Sequence, residues 1–260
     1  MTSSKLVEQF LKHQRLAIIA SLIGVTAIAW CYLIILAVGM NEMMAAPISD
    51  MAHLKPWTTV DAALMFLMWT VMMIGMMVPS VSPTILLYAR VFQKRAKNER
   101  VFVPTGAFLG GYLTIWTGFS AVATLLQWGL EQAALLSPMM VSTSPLLGGL
   151  ILIAAGIYQL TPYKSACLQH CRSPVDFLSN NWRSGTWGAL IMGLEHGIYC
   201  LGCCWALMVL LFVVGVMNLL GIAAIAIFVL LEKVTRFGKL INRIGALLLT
   251  LLGITIMATA

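Results

Sequence analysis

Residues 187–231 read WGALIMGLEHGIYCLGCCWALMVLLFVVGVMNLLGIAAIAIFVLL and contain one acidic side chain and no Lys or Arg. A transmembrane helix needs roughly 20 mostly apolar residues, so this stretch is long enough for two. Asn218, which lies between Gly215 and Gly221, is the strongest turn signal within it. The stretch therefore predicts two consecutive membrane spans joined by a tight turn.

The rest of the chain continues this pattern, because 60% of its 260 residues are apolar and only 10% are charged. Such a composition is typical of a membrane-embedded protein. We expect one all-α domain over residues 1–260, a polytopic bundle of about seven transmembrane helices that follows a tail of residues 1–15. The other five predicted spans are residues 16–39, 62–88, 103–129, 145–160 and 240–260.

The basic residues predict how this bundle is oriented. Fifteen of the sixteen Lys and Arg lie in the N-terminal tail, in residues 90–100, in residues 164–183 and in residues 233–243. With seven spans and a cytoplasmic N-terminus, all four segments face the cytoplasm, as the positive-inside rule requires, and the C-terminus is periplasmic. The net charge of +7 is then explained by anionic lipid rather than nucleic acid. We expect a multi-pass protein of the bacterial inner membrane.

Residues 161–174 contain the first group of residues with metal-binding chemistry. Thr161 and Pro162 form a typical helix start, and Pro174 ends the helix. Cys167, His170 and Cys171 would share one face of that helix, which suits a soft metal ion. Lys164 and Arg172 would lower the pKa of the two thiols. The alternative is an interfacial turn with ordinary free cysteines.

Residues 195–205 (EHGIYCLGCCW) contain the second group. At about 100° per residue, the side chains of His196, Cys200, Cys203 and Cys204 fall within one helical stripe. The CxxC spacing of Cys200 and Cys203 serves metal binding and disulfide chemistry equally well. The alternative is that these cysteines only pack as small apolar residues.

Glu195 is an ionisable residue inside a predicted span, so it requires a partner. It could be a ligand, a proton carrier, or an acceptor for an imidazole N–H. A helix places it on a different face from His196, so a shared ligand role requires a bend near residues 193–197. Such a bend would make residues 185–196 a separate helix at the cytoplasmic surface of the membrane. Only this arrangement is expected to bring the two cysteine groups together easily.

Methionines form a third group. Met65, Met68, Met72 and Met76 lie in one stripe of the second span. Thioethers can pass Cu(I) along a helix, but we favour core packing. Pro79 and Pro83 should kink or end this helix. The outer loop could load copper through its own donors, which are Met40, Glu42, Met43, Met44, Asp50, Met51 and His53.

Four segments carry a family resemblance: residues 69–79 (WTVMMIGMMVP), residues 156–174 with the cysteine loop, residues 193–208 with the thiol stripe, and the Glu232-Lys233 pair. Together they resemble a bacterial family of predicted metal-binding integral membrane proteins, known as domain of unknown function family 2182. The similarity covers roughly residues 60–255. It implies metal binding but no settled activity.

The leading hypothesis is a protein that binds a soft transition metal, Cu(I) first and Zn(II) second. The predicted ligands are Cys167, His170, Cys171, Glu195, His196, Cys200, Cys203 and Cys204. The metal would pass to a metallochaperone or a metal-dependent membrane enzyme. A second hypothesis is a membrane thiol–disulfide oxidoreductase using the Cys200/Cys203 and Cys167/Cys171 pairs, and a third is a structural subunit of a membrane complex. No hydrolase or nucleotide-binding motif has a supportive context, so we expect a binding protein rather than an enzyme.

Overall fold

The computed structural model describes residues 2–44, 57–95, 101–136 and 144–259, and within these ranges the chain is all-α. The helices are α1 (Thr2–Met44), α2 (Thr59–Arg95), α3 (Phe102–Gln132), α4 (Pro145–Gln159), α5 (Pro162–Arg172), α6 (Pro174–Asn180), α7 (Gly185–Val209), α8 (Leu211–Val214), α9 (Leu219–Val234) and α10 (Gly238–Ala258).

Five helices among the described residues are long and apolar enough to cross a membrane, at Gln14–Gly39, Thr59–Arg95, Phe102–Gln132, Gly185–Val214 and Gly238–Ala258. Helices α4 and α5 meet this criterion together as one pair bent by 64°, which raises the number to six. Helix α9, the remaining predicted span, has 16 residues. The expectation of a helical bundle with several possible spans is therefore confirmed.

Two helix starts predicted from the sequence are confirmed. The Thr161 hydroxyl accepts a hydrogen bond from the Lys164 amide at 3.3 Å, and Pro162 is the first residue of α5. The Asn218 side chain accepts from the Gly221 amide at 3.2 Å at the start of α9. Gly215 ends α8 with a φ of 105°, a conformation that favours glycine. These caps separate α5 from α4 and α9 from α8.

Helix α2 continues through Pro79 and Pro83, so of the two expected effects, a kink or an end of the helix, these prolines do not produce the second. A proline removes the hydrogen bond to the carbonyl four residues earlier, and both freed carbonyls have new donors. The Trp30 indole donates to the Gly75 carbonyl at 3.2 Å. The Ser82 hydroxyl donates to the Pro79 carbonyl at 2.8 Å. Because these donors satisfy the freed carbonyls, the helix can continue.

Helices α3 and α7 pack with their backbones in close contact. A methyl group at Gly193 would overlap the Phe108 carbonyl, and one at Gly111 would overlap the Leu190 carbonyl. Small residues allow such close approach between membrane helices. This contact places the α3 side chains beside the cysteine face of α7.

Candidate metal centre

Helix α7 directs three thiols into the protein core. Cys200, Cys203 and Cys204 are each at most 1% exposed. The thiols of Cys203 and Cys204 donate to the Cys200 carbonyl at 3.1 Å and 3.0 Å. Because these residues are three and four positions after Cys200, they belong to one helical face, as the sequence predicted.

Helix α5 adds a thiol from outside α7. The Sγ of Cys171 lies 4.0 Å from the Sγ of Cys203. The Sγ atoms of Cys171, Cys200 and Cys203 all lie within 4.8 Å of one another, and all three residues are buried. We call these three residues the thiol cluster. It joins the cysteine loop to the helix motif in one place.

Contacts along the side of α7 hold α5 in position. The His170 ring stacks on the Tyr199 ring with centroids 4.1 Å apart and an angle of 3° between the planes. One turn further, a methyl group at Gly202 would lie 2.8 Å from the Sγ of Cys167. Helix α5 therefore lies directly against the segment of α7 that carries the cysteines.

The expectation that the two motifs meet only if α7 bends is wrong. Helix α7 runs without interruption from Gly185 to Val209. The bend lies instead between α4 and α5, at 64°. This bend after Gln159 turns α5 towards α7, so an uninterrupted α7 can still meet Cys171.

The two basic residues next to the loop cysteines do not contact the thiols. The Lys164 ammonium is fully buried, lies 2.7 Å from a Glu232 carboxylate oxygen and also donates to the Gln159 side chain. The Arg172 guanidinium donates to the Thr235 carbonyl at 2.9 Å. Both side chains therefore attach α5 to the end of α9, and the expectation that they activate the thiols is not supported by their geometry.

The cation at the cluster is Lys233. Its ammonium donates to the Sγ of Cys200 at 2.9 Å and to the Ser80 hydroxyl at 3.2 Å. The Tyr112 hydroxyl lies 3.0 Å from the same sulfur. The Glu232-Lys233 pair in the last turn of an apolar helix was a usable sequence signal for this lysine. No sequence signal pointed to Ser80 or Tyr112, because their proximity depends on how α2, α3 and α7 pack.

His196 and Glu195 lie outside the thiol cluster. The His196 ring is 2% exposed and lies among the rings of Phe108, Tyr112 and Phe177, with centroids 6.1, 6.0 and 5.0 Å away. Its Nδ1 has no hydrogen-bond partner. Glu195 forms an ion pair with Arg183 at 2.6 Å on the partly exposed side of α7. The two neighbours thus occupy different faces, as helix geometry predicted.

The remaining candidate ligand residues are distributed over the molecule. Cys167 is partly exposed, and His170 and Cys31 are exposed. The methionine stripe on α2 lies in the hydrophobic core, which is what core packing predicts. The proposed loading residues of the outer loop fall outside the described side chains.

The structure thus defines an all-α protein with several helices long and apolar enough to cross a membrane. Its buried thiol cluster offers the kind of donor atom that soft metal ions prefer. Residues 66–256 match a family model, PpoB2, described as a copper chaperone. The match covers most of the chain, so the chain belongs to this copper chaperone family, and the expected relationship to a metal-related family is confirmed. Neither a curated protein nor a solved structure matches the chain.

Proposed function

We propose that this chain is a copper chaperone of the bacterial inner membrane, which binds Cu(I) at the thiol cluster and passes it to a membrane partner. In this proposal the bundle has seven spans, with α9 as a short sixth span. The N-terminus is cytoplasmic and the C-terminus periplasmic. The family match and the thiol cluster support metal handling, and the distribution of basic residues supports the orientation.

The observation that carries the proposal is the mutual proximity of three buried thiols from two separate helices. Three sulfur atoms around one ion, at metal–sulfur distances of roughly 2.3 Å, lie roughly 4 Å apart in a trigonal arrangement. The Sγ atoms of Cys171 and Cys203 are separated by 4.0 Å, and all three lie within 4.8 Å. Small rotamer changes therefore suffice to enclose one ion.

The number of thiols favours Cu(I) over Zn(II). Structural zinc sites are almost always tetrahedral and use four protein ligands, whereas Cu(I) is a soft ion that thiolates bind with fewer ligands. The cluster has three thiols, and the Cys204 thiol lies outside it. His196 stays in the proposed set as a donor outside the three-thiol site, because its Nδ1 has no hydrogen-bond partner. Glu195 could contribute only after its ion pair with Arg183 opens.

Cys167 and His170 give the proposed function a transfer route. They lie on the same helix as Cys171, and both are more exposed than the thiol cluster. Because metal transfer between proteins proceeds by stepwise ligand exchange, partly exposed donors beside a buried site allow a partner to take over the ion. A metallochaperone or a metal-dependent membrane enzyme fits this role.

Elemental analysis of the purified full chain tests the proposal. We expect stoichiometric copper after loading with Cu(I) under reducing conditions, and loss of this copper in a Cys200→Ser/Cys203→Ser variant. Cys31→Ser is the matched control, since Cys31 is exposed. Copper binding that is absent from the wild type, or unchanged in the double variant, contradicts the proposal.

A second candidate function is thiol–disulfide exchange, because the 4.0 Å separation of Cys171 and Cys203 also suits a disulfide. Formation of that bond would release two protons and pass two electrons to a quinone or to the disulfide of a partner. A cytoplasmic setting disfavours a stable disulfide. Alkylation of the protein isolated from cells distinguishes the two functions: a redox-dependent mobility shift that disappears in Cys171→Ser supports the oxidoreductase.

A further inference from the structure

Lys233 is a buried cation next to the thiol cluster, and it is not one of the proposed metal ligands. It is 8% exposed, and its ammonium contacts the Sγ of Cys200 at 2.9 Å. Its other hydrogen bond goes to the neutral Ser80 hydroxyl. The ammonium adds a positive charge beside an atom that would hold the metal ion, so the position of this lysine needs an explanation.

No carboxylate forms an ion pair with Lys233 within the part of the chain that the structure describes. The carboxylate of the preceding residue, Glu232, is paired with Lys164. A second ion pair joins Arg183 to Glu195. The titratable groups that interact with the Lys233 ammonium are Tyr112, His196, Glu232 and the thiols of Cys171, Cys200, Cys203 and Cys204. The thiol cluster therefore has at its edge a lysine that forms no ion pair with a carboxylate.

We infer that Lys233 is the specificity-determining residue of the thiol cluster and favours monovalent over divalent ions. This inference rests on the proposed function. An ion bound by Cys200 lies within a few ångströms of the Lys233 ammonium, and the Coulomb repulsion doubles when the charge of the ion doubles. The lysine also offsets part of the negative charge of the thiolates.

The effect can be isolated with Ag⁺ and Cd²⁺, two thiophilic ions that have the same number of electrons and differ in charge. The full chain is purified in detergent, and the affinity for each ion is measured by competition with a thiol chelator. Lys233→Met removes the charge and keeps a long apolar side chain. We expect it to raise the affinity for Cd²⁺ relative to Ag⁺ on the order of 100-fold, the effect of one unit charge ~5 Å away at an effective dielectric constant of ~20.

Two further variants separate charge from packing. Ser80→Asp leaves the lysine in place and adds a carboxylate within reach of its ammonium, so it should change the affinity ratio in the same direction. Lys239→Met removes the same charge from an exposed position and should leave the ratio unchanged. If Lys233→Met does not fold, Ser80→Asp decides the question.

The possible outcomes distinguish a failure of the proposed function from a failure of the inference about Lys233. A wild-type protein that binds neither ion at the cysteines overturns the proposed function and this inference with it. Binding of both ions with a ratio that is unchanged in Lys233→Met, or in Ser80→Asp, overturns the inference alone. A Cd²⁺ preference that rises in both variants and not in Lys239→Met supports it.

Discussion

The Sγ atoms of Cys171 and Cys203 lie 4.0 Å apart, although 32 positions separate the two residues in the chain. One thiol comes from the short helix α5 and the other from the long helix α7. Because buried thiols on different helices become neighbours only when those helices are held together, the position of α5 decides whether the proposed three-ligand site exists.

The first prediction concerns Cys171. If Cys171 is a ligand, Cys171→Ser should lower Cu(I) affinity by more than ~10–100-fold, which is the loss typical for replacing a residue that only hydrogen-bonds to a ligand. Cys200→Ser should lower the affinity to a similar extent. Competition titrations with a Cu(I)-selective chelator measure both values. A Cys171→Ser variant that binds copper as tightly as Cys31→Ser would remove α5 from the proposed site.

The second prediction concerns the buried ion pair between Lys164 and Glu232, whose side chains are 0% and 1% exposed. Removal of one partner leaves an uncompensated charge, so Lys164→Met should lower the free energy of unfolding by about 3–5 kcal/mol. Lys164→Met/Glu232→Leu should recover most of the loss. Unfolding in mixed detergent micelles measures the difference.

The exposed ion pair between Arg183 and Glu195 provides the control for this experiment. These side chains are 48% and 29% exposed, and such pairs contribute about 0–1 kcal/mol. Arg183→Met should therefore cost far less than Lys164→Met. Equal losses in the two variants would show that burial does not set the strength of the Lys164–Glu232 interaction.

The third prediction concerns the close contact between α3 and α7. A methyl group at Gly193 would overlap the Phe108 carbonyl, so Gly193→Ala should force the helices apart and cost about 1–3 kcal/mol. Because the separation also moves Tyr112 away from Cys200, Cu(I) affinity should fall together with the free energy of unfolding.

Gly118 provides the control, since it has open space around it. Gly118→Ala should therefore be neutral or stabilise by up to ~1 kcal/mol.

The fourth prediction concerns the proposed topology. With seven spans and a cytoplasmic N-terminus, alkaline phosphatase fused to the C-terminus should be active, and a fluorescent protein at that position should stay dark. Fusions after Arg95 should give the opposite result. A fluorescent C-terminal fusion would place both termini on one side and show that α9, with its 16 residues, does not cross the membrane.

Several features were predictable from the sequence because they depend on local interactions. The helix starts at Thr161 and Asn218 depend on a side chain bonding a backbone amide three residues away. The shared face of Cys200, Cys203 and Cys204 depends only on the pitch of a helix. The placement of Glu195 and His196 on different faces of α7 also depends only on the pitch of a helix.

Other features depend on contacts between distant segments. The sequence pointed to Lys164 and Arg172 as the cations at the thiols, since they are neighbours in the chain. In the folded protein the cation at Cys200 is Lys233, and Lys164 is buried against Glu232. A buried charge requires a partner, and only the packing of α5 against α9 decides which partner each charge finds.

The sequence by itself therefore determined the helical class and the thiol stripe on α7, because hydrophobic composition and helix periodicity are local properties of the chain. The tertiary structure decided that Cys171 joins this stripe while Cys167 and His170, which also lie against α7, stay more exposed. It also decided that a lysine from α9 reaches the cluster. The physical reason is the 64° bend between α4 and α5, which directs one face of α5 against α7 and the Lys164 side chain against α9.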